Sequence, residues 1–184
     1  FMFKYIFNRK IKDYLVFRPK KAKTQPILLD ESEIASIFSV CANLKHLAIL
    51  CLLYSAGLRG SEIINLKIKD IDSACMLIWI RSAKGRKDRK VPLDKYCLEV
   101  LRKYFSAFRP TIYLFNGQGD LAQYSKRSIQ LFLKDLATKA GIAKRVYPHL
   151  IRHCNATHNI ENGTDLIKLK EMLGHNSLKT TSGY

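Results

Sequence analysis

Acidic side chains are scarce in this sequence. Only 15 Asp and Glu face 32 Lys and Arg over 184 residues, a formal charge of +17. No carboxylate cluster of the kind that grips catalytic metal ions is present, and there is no phosphate-binding G-x-x-x-x-G-K loop for a nucleotide. Cysteine is sparse too: Cys41, Cys51, Cys75, Cys97 and Cys154 are odd in number and include no C-x-x-C pair. That excludes a disulfide framework and reads as reduced core thiols of a cytosolic protein. The longest apolar run, Leu47 to Leu58, is too short to span a bilayer and is broken by Ser55 and Gly57. The apolar start, Phe1 to Phe7, has no small-residue cleavage site after it, so no signal peptide is read. Internal repeats and low-complexity segments are absent.

What is abundant is positive charge and apolar surface. Hydrophobic residues make up 47% of the chain, enough for a core. The charge excess suits a polyanion, most commonly nucleic acid, although ribosomal and membrane-surface proteins are as basic.

Periodicity predicts a mixed α/β fold, mainly α-helical with a small antiparallel β-sheet. Residues 1–26 stand apart: Phe1 to Ile11 reads as the tail of a helix, and Arg18 to Lys23 as a basic linker. The chain is therefore divided into 1–26, the remnant of a preceding domain, and 27–184, one further domain. Asp30 with Glu33 opens a helix to about Cys41. Further helices are expected over Leu44–Ser55, Ser61–Leu66, Leu93–Phe108, Ser125–Ala140, Pro148–Gly163 and Asp165–Leu173. Cys75–Ser82 and Arg89–Leu93 read as a hairpin turning at Lys84–Asp88, and Tyr113–Phe115 as a short strand.

Several residues carry potential chemistry. His149 and Arg152 stand three apart in the first turn of a helix, where free N–H groups already attract a phosphate. Arg152 adds a planar donor fork and His149 a directional donor. Arg59 follows a helix–turn junction, with Glu62 three residues later to orient it. Lys84 sits at the hairpin tip. His175 follows the helix-ending Gly174, and Tyr184 lies nine residues beyond His175. Taken singly, these residues read more readily as ordinary structural or surface residues.

Taken in order, they are far more specific. Gly57-Leu58-Arg59-x-Ser61-Glu62, then Lys84-Gly85 with Lys87-x-Arg89-x-Val91-Pro92-Leu93, then His149-Leu150-Ile151-Arg152-His153, then Leu173-Gly174-His175 and Tyr184 form four boxes. This series resembles the tyrosine recombinase, or phage integrase, family, in particular its Xer-like and integron-type members, from about Pro26 to Tyr184. Ile151 replaces a usual Leu, and Gly183 a usually larger residue.

The resemblance implies the tyrosine recombinase catalytic-domain fold and site-specific cleavage and rejoining of double-stranded DNA. Tyr184 would form a 3′-phosphotyrosine, Arg59 and Arg152 would clamp the phosphate oxygens, and His175 would donate a third hydrogen bond. His149 would assist proton transfer at Tyr184, Lys84 would protonate the leaving 5′-oxygen, and Glu62 would orient Arg59 from behind. It implies no cofactor, metal or ATP, a homotetramer or mixed tetramer on synapsed DNA, and a cytoplasmic, nucleoid-associated protein with no membrane partner. It also implies that residues 1–26 close a core-binding domain, and that a short docking helix usually follows the tyrosine.

Three other readings compete. His149, His153, Cys154 and His158 fall close together as in a metal site, but without the glutamate of H-E-x-x-H or a second Cys/His pair. A DNA-binding module without catalysis, such as a helix-turn-helix regulator, suits the charge but leaves the filled boxes unexplained. A type IB topoisomerase shares the chemistry but relaxes DNA rather than exchanging strands; the Gly174-His175…Tyr184 spacing favours exchange.

Overall fold

A computed structural model describes residues 27–81, 88–117 and 122–174. The expected helix over Phe1–Ile11, the basic linker, the hairpin tip with Lys84, and His175 and Tyr184 lie outside the described residues.

The described chain is mainly helical with one small antiparallel sheet. Helix α1 spans Glu31–Ser39, α2 Leu44–Tyr54, α3 Gly60–Asn65, α4 Lys95–Phe108, α5 Lys126–Lys139, α6 Pro148–Glu161 and α7 Leu166–Leu173. The strands are β1 Ile71–Asp72, β2 Leu77–Ile80 and β3 Arg89–Pro92, in the order β1-β2-β3.

Capping side chains set most of the helix starts. Asp30 accepts from the Glu33 amide while Glu33 accepts from the Asp30 amide, at 2.8 and 2.9 Å, a complete capping box. The side chains of Asn43, Asp94, Ser125 and Asp165 each accept one first-turn amide at the starts of α2, α4, α5 and α7, without the reciprocal bond. Pro148 occupies the first turn of α6, where its missing N–H costs nothing.

Beyond Lys45 and His46 in its first turn, helix α2 is almost wholly apolar, and its residues Ala48 to Leu53 are all buried. It is the central helix, packed against α4 and α6. The amphipathic α4 turns Cys97, Leu98, Val100, Leu101 and Tyr104 inward. In β2, Ile78 and Ile80 are buried and Trp79 faces out, where Lys90 Nζ lies 4.3 Å from its ring.

Three expectations need correction. The sheet has a third strand, β1, pairing Ile71 with Ile78; two residues are too few to show an alternating pattern. Tyr113–Phe115 is not a strand. Tyr113 makes one isolated bridge to Lys67, and the Leu114 amide donates to Leu66 O at 2.8 Å. Cys75 is exposed in the turn before β2, whereas the other four cysteines are buried as expected.

The turn after α2 brings the first motif to the later helices. Gly57 has φ +58°, and a Cβ there would lie 2.8 Å from Asn155 Oδ1 and 2.9 Å from Leu173 Cδ2. Both the left-handed backbone and the contact with α6 and α7 therefore demand glycine. Gly57→Ala should cost about 2–4 kcal/mol, adding left-handed strain to overpacking. Urea unfolding checks this; a loss below about 1 kcal/mol would contradict it.

Candidate active site

Charge converges where the end of α2, β3, α6 and the end of α7 meet. At its centre is Glu62, in the first turn of α3. Its Oε2 accepts from the Arg59 amide at 2.8 Å, and its Oε1 from Arg59 Nη1 at 2.8 Å. A second guanidinium arrives from β3: Arg89 Nη1 and Nη2 meet Oε1 and Oε2, each at 2.9 Å. This is a fork-to-fork pair, the strongest geometry available to an arginine and a carboxylate. Arg152 Nη1 lies 3.9 Å from Oε2. One carboxylate thus gathers three arginines, leaving the cluster with a net positive charge.

Arg152 is fully buried. Its Nη1 donates to Gly57 O at 2.6 Å and its Nη2 to Leu173 O. The carbonyl of the turn after α2 and a carbonyl from the last turn of α7 therefore hold the guanidinium. Carbonyls at a helix C-terminus carry partial negative charge, which suits a cation. Arg59 reaches the same end of the helix through Nη2 and Gly174 O, 3.5 Å apart. Arg59 retains 23% side-chain exposure, so it is the outer arginine and Arg152 the inner one.

His149 stands one turn before Arg152 on α6. With Arg59 it borders a cleft of about 250 Å³, whose walls include Ser61, Lys126, Gln130 and Tyr147. Burial, then the charges of Arg152 and Arg59, push its pKa below the usual histidine value. Its ring packs edge-on to His153, with centroids 4.4 Å apart. Burial and the neighbouring His149 and Arg152 lower His153 to about 4. Both rings are therefore neutral at neutral pH. Gln130 and Tyr147 also border a larger groove of about 960 Å³, which carries Arg127, Lys134 and Arg145.

The structure brings Arg59, Glu62, His149 and Arg152 together. Lys84, His175 and Tyr184 lie outside the described residues. Gly174 ends α7 with φ +62°, immediately before His175. Sequence reasoning missed Arg89 as a member of the site. The signal was available: Arg89 is two residues before the buried Val91, hence on the same inward face of β3. A charge on that face needs a partner.

The metal reading finds no support among the described residues, where no group of three or more His, Cys, Asp and Glu is placed to hold an ion. His158 Nε2 donates to Leu29 O at 3.0 Å, and Nδ1 lies within hydrogen-bond distance of the Tyr54 hydroxyl, at 2.9 Å. Cys154 Sγ accepts from the Leu29 amide at 3.4 Å. Both side chains serve the packing of the 27–30 segment on α6. Among the described residues, no helix is long and apolar enough to cross a membrane.

Comparison with known proteins agrees with the motif series. The model of the phage integrase family matches residues 28–184. The tyrosine recombinase XerA of Pyrococcus horikoshii is 37% identical over 169 residues, covering 90% of this chain and 59% of the relative. The tyrosine recombinase XerD of Oceanobacillus iheyensis is 36% identical over 178 residues, with coverages of 90% and 59%. A crystal structure of XerA recombinase superimposes with a TM-score of 0.81 at 33% identity, over 89% of this chain and 61% of that one. XerH recombinase bound to palindromic difH substrate, in a post-cleavage complex, gives 0.77 at 25% identity, over 98% and 55%. The chain thus spans between about half and two thirds of the length of these relatives.

The Glu62 carboxyl gives a pH signature. Burial would raise its pKa, but hydrogen bonds and charge from Arg89, then the Arg59 amide and side chain, outweigh burial and hold it at about 2, against an ordinary 4.5. A depressed carboxyl stabilises the fold fully above its unfolded pKa, and that contribution fades as pH falls through the folded one. Between neutral pH and about 2, the wild type should therefore lose about 3 kcal/mol more stability than Glu62→Gln. Urea unfolding across a pH series measures the difference; parallel curves would contradict it.

Proposed function

The chain belongs to the phage integrase family, and from that footing we propose that it is the catalytic part of a tyrosine-type site-specific DNA recombinase. The observation that carries the reading is the cluster of Arg59, Glu62 and the fully buried Arg152 beside His149 at a cleft.

In this reading, the scissile phosphate enters that cleft. Tyr184 Oη attacks phosphorus, forming a 3′-phosphotyrosine bond and breaking the bond to the 5′-oxygen. The neutral His149 takes up the tyrosine proton, and Lys84 gives a proton to the leaving 5′-oxygen. Arg59 at the cleft wall, Arg152 buried behind it and His175 place positive charge at the oxygens on which negative charge grows. Cations fixed in advance around that charge lower the barrier without reorganising. Glu62 keeps Arg59 in place. Rejoining reverses these steps with another strand's 5′-hydroxyl, so the energy of the broken bond is conserved and no ATP or metal is required.

The partner is double-stranded DNA, its backbone following the groove of Arg127, Lys134 and Arg145. XerH, a relative of the same fold, is itself seen bound to its DNA substrate. Residues 1–26 end a core-binding domain and its basic linker, and 27–184 form the catalytic domain. Strand exchange uses a homotetramer, or mixed tetramer, on synapsed DNA, in the nucleoid-associated cytoplasm.

Two experiments on the full-length protein test this. A nicked suicide substrate should trap an SDS-resistant protein–DNA adduct in excess EDTA, without ATP. Tyr184→Phe should form none; an adduct from that variant, or dependence on magnesium, would contradict the mechanism. Arg59→Ala should slow cleavage roughly 10²–10³-fold while DNA affinity falls only modestly, because one phosphate contact among many is lost. Equal losses of rate and affinity would make Arg59 a backbone-binding residue only. Arg152→Ala is the poorer probe, since it also strips the donors from Gly57 O and Leu173 O.

A further inference from the structure

We propose that Arg89 is a positioning residue for the cleavage reaction: it sets the placement of Arg59 through Glu62 and, by a separate bond, the end of α7 from which His175 follows. The proposal rests on the recombinase reading above and adds to it a residue that the motif assignment left without a role.

Arg89 divides its donors between two targets. Nη1 and Nη2 grip both oxygens of Glu62, 27 residues earlier in the chain, at 2.9 Å each. Nε donates to Met172 O, 83 residues later, at 2.9 Å. The stem of the side chain fills the space beside Gly174, where a Cβ would lie 2.9 Å from Arg89 Cδ. The group retains only 13% exposure. One side chain from β3 therefore joins the first motif to the last described turn of the site.

The chemistry explains why this matters for reaction. Glu62 has two oxygens and must offer fixed lone pairs to the Arg59 amide and Nη1. The fork of Arg89 fixes the plane of the carboxylate, and that plane fixes Arg59. Without it, Arg59 keeps its charge but loses its aim. Misplacement of about 1 Å costs on the order of 10²-fold in rate. Lysine has the charge without the fork, so it cannot replace Arg89.

The test uses the full-length protein, with single-turnover cleavage of the suicide substrate and DNA affinity measured separately. Arg89→Lys should slow cleavage by about 10–100-fold, while the dissociation constant for DNA moves less than about threefold because the charge is kept. Arg89→Met should be at least as slow. In a Glu62→Gln background, adding Arg89→Met should slow cleavage clearly less than it does in the wild type, because the path through Glu62 is already broken and only the bond to Met172 O remains to be lost. Near-normal cleavage by Arg89→Lys, or additive losses in the double variant, overturns the proposal. So does loss of folding by both Arg89 variants even in the Glu62→Gln background, which would make Arg89 a fold residue. A wild type that forms no adduct overturns the recombinase reading itself, and the proposal with it.

Discussion

One carboxylate, Glu62, holds three guanidinium groups in a space that would otherwise repel them. Burial alone would neutralise it, yet Arg89 and Arg59 keep it charged. Around this anion the rest of the site becomes affordable in electrostatic terms. Arg152 can lie fully buried because Glu62 and the carbonyls of Gly57 and Leu173 face it. A buried cation without such partners would destabilise the fold by several kcal/mol. The left-handed turn at Gly57 aims one of those carbonyls, and α7 supplies another at its negative end.

The same arrangement explains why the site is spread along the chain. Glu62 lies just past the central helix α2, Arg89 comes from the sheet, and Arg152 from α6. Packing of α2 against α6, and of α7 against both α6 and β3, brings them together. The apolar α2 is thus the mould on which the polar cluster is cast. The outcome is a net positive cluster beside His149.

Much of this was legible in the residues. Capping side chains located helices to within one or two positions: Asp30 with Glu33, Ser125 and Pro148 at starts, Gly174 at an end. The motif boxes pointed to Arg59, Glu62, His149 and Arg152, and these four side chains lie near one another. What escaped was information that exists only in space. Strand β1 is two residues long, and Tyr113–Phe115 carried strand-like residues but found only a single bridge to Lys67. Arg89 looked like one more basic residue of a hairpin, because its partners are 27 and 83 residues away. The depth of Arg152 was equally hidden: a helix's first turn suggested an open donor fork, and its guanidinium faces backbone carbonyls instead.

The central claim is that Glu62 stays ionised because its arginines are fixed around it. The most direct measurement is a carbon-13 NMR titration of the Glu62 carboxyl in the intact protein. A pKa of about 2 is the expected result. A value at or above the ordinary 4.5 would mean that burial wins, that the arginines are not held as described, and that the site is not preorganised by this carboxylate.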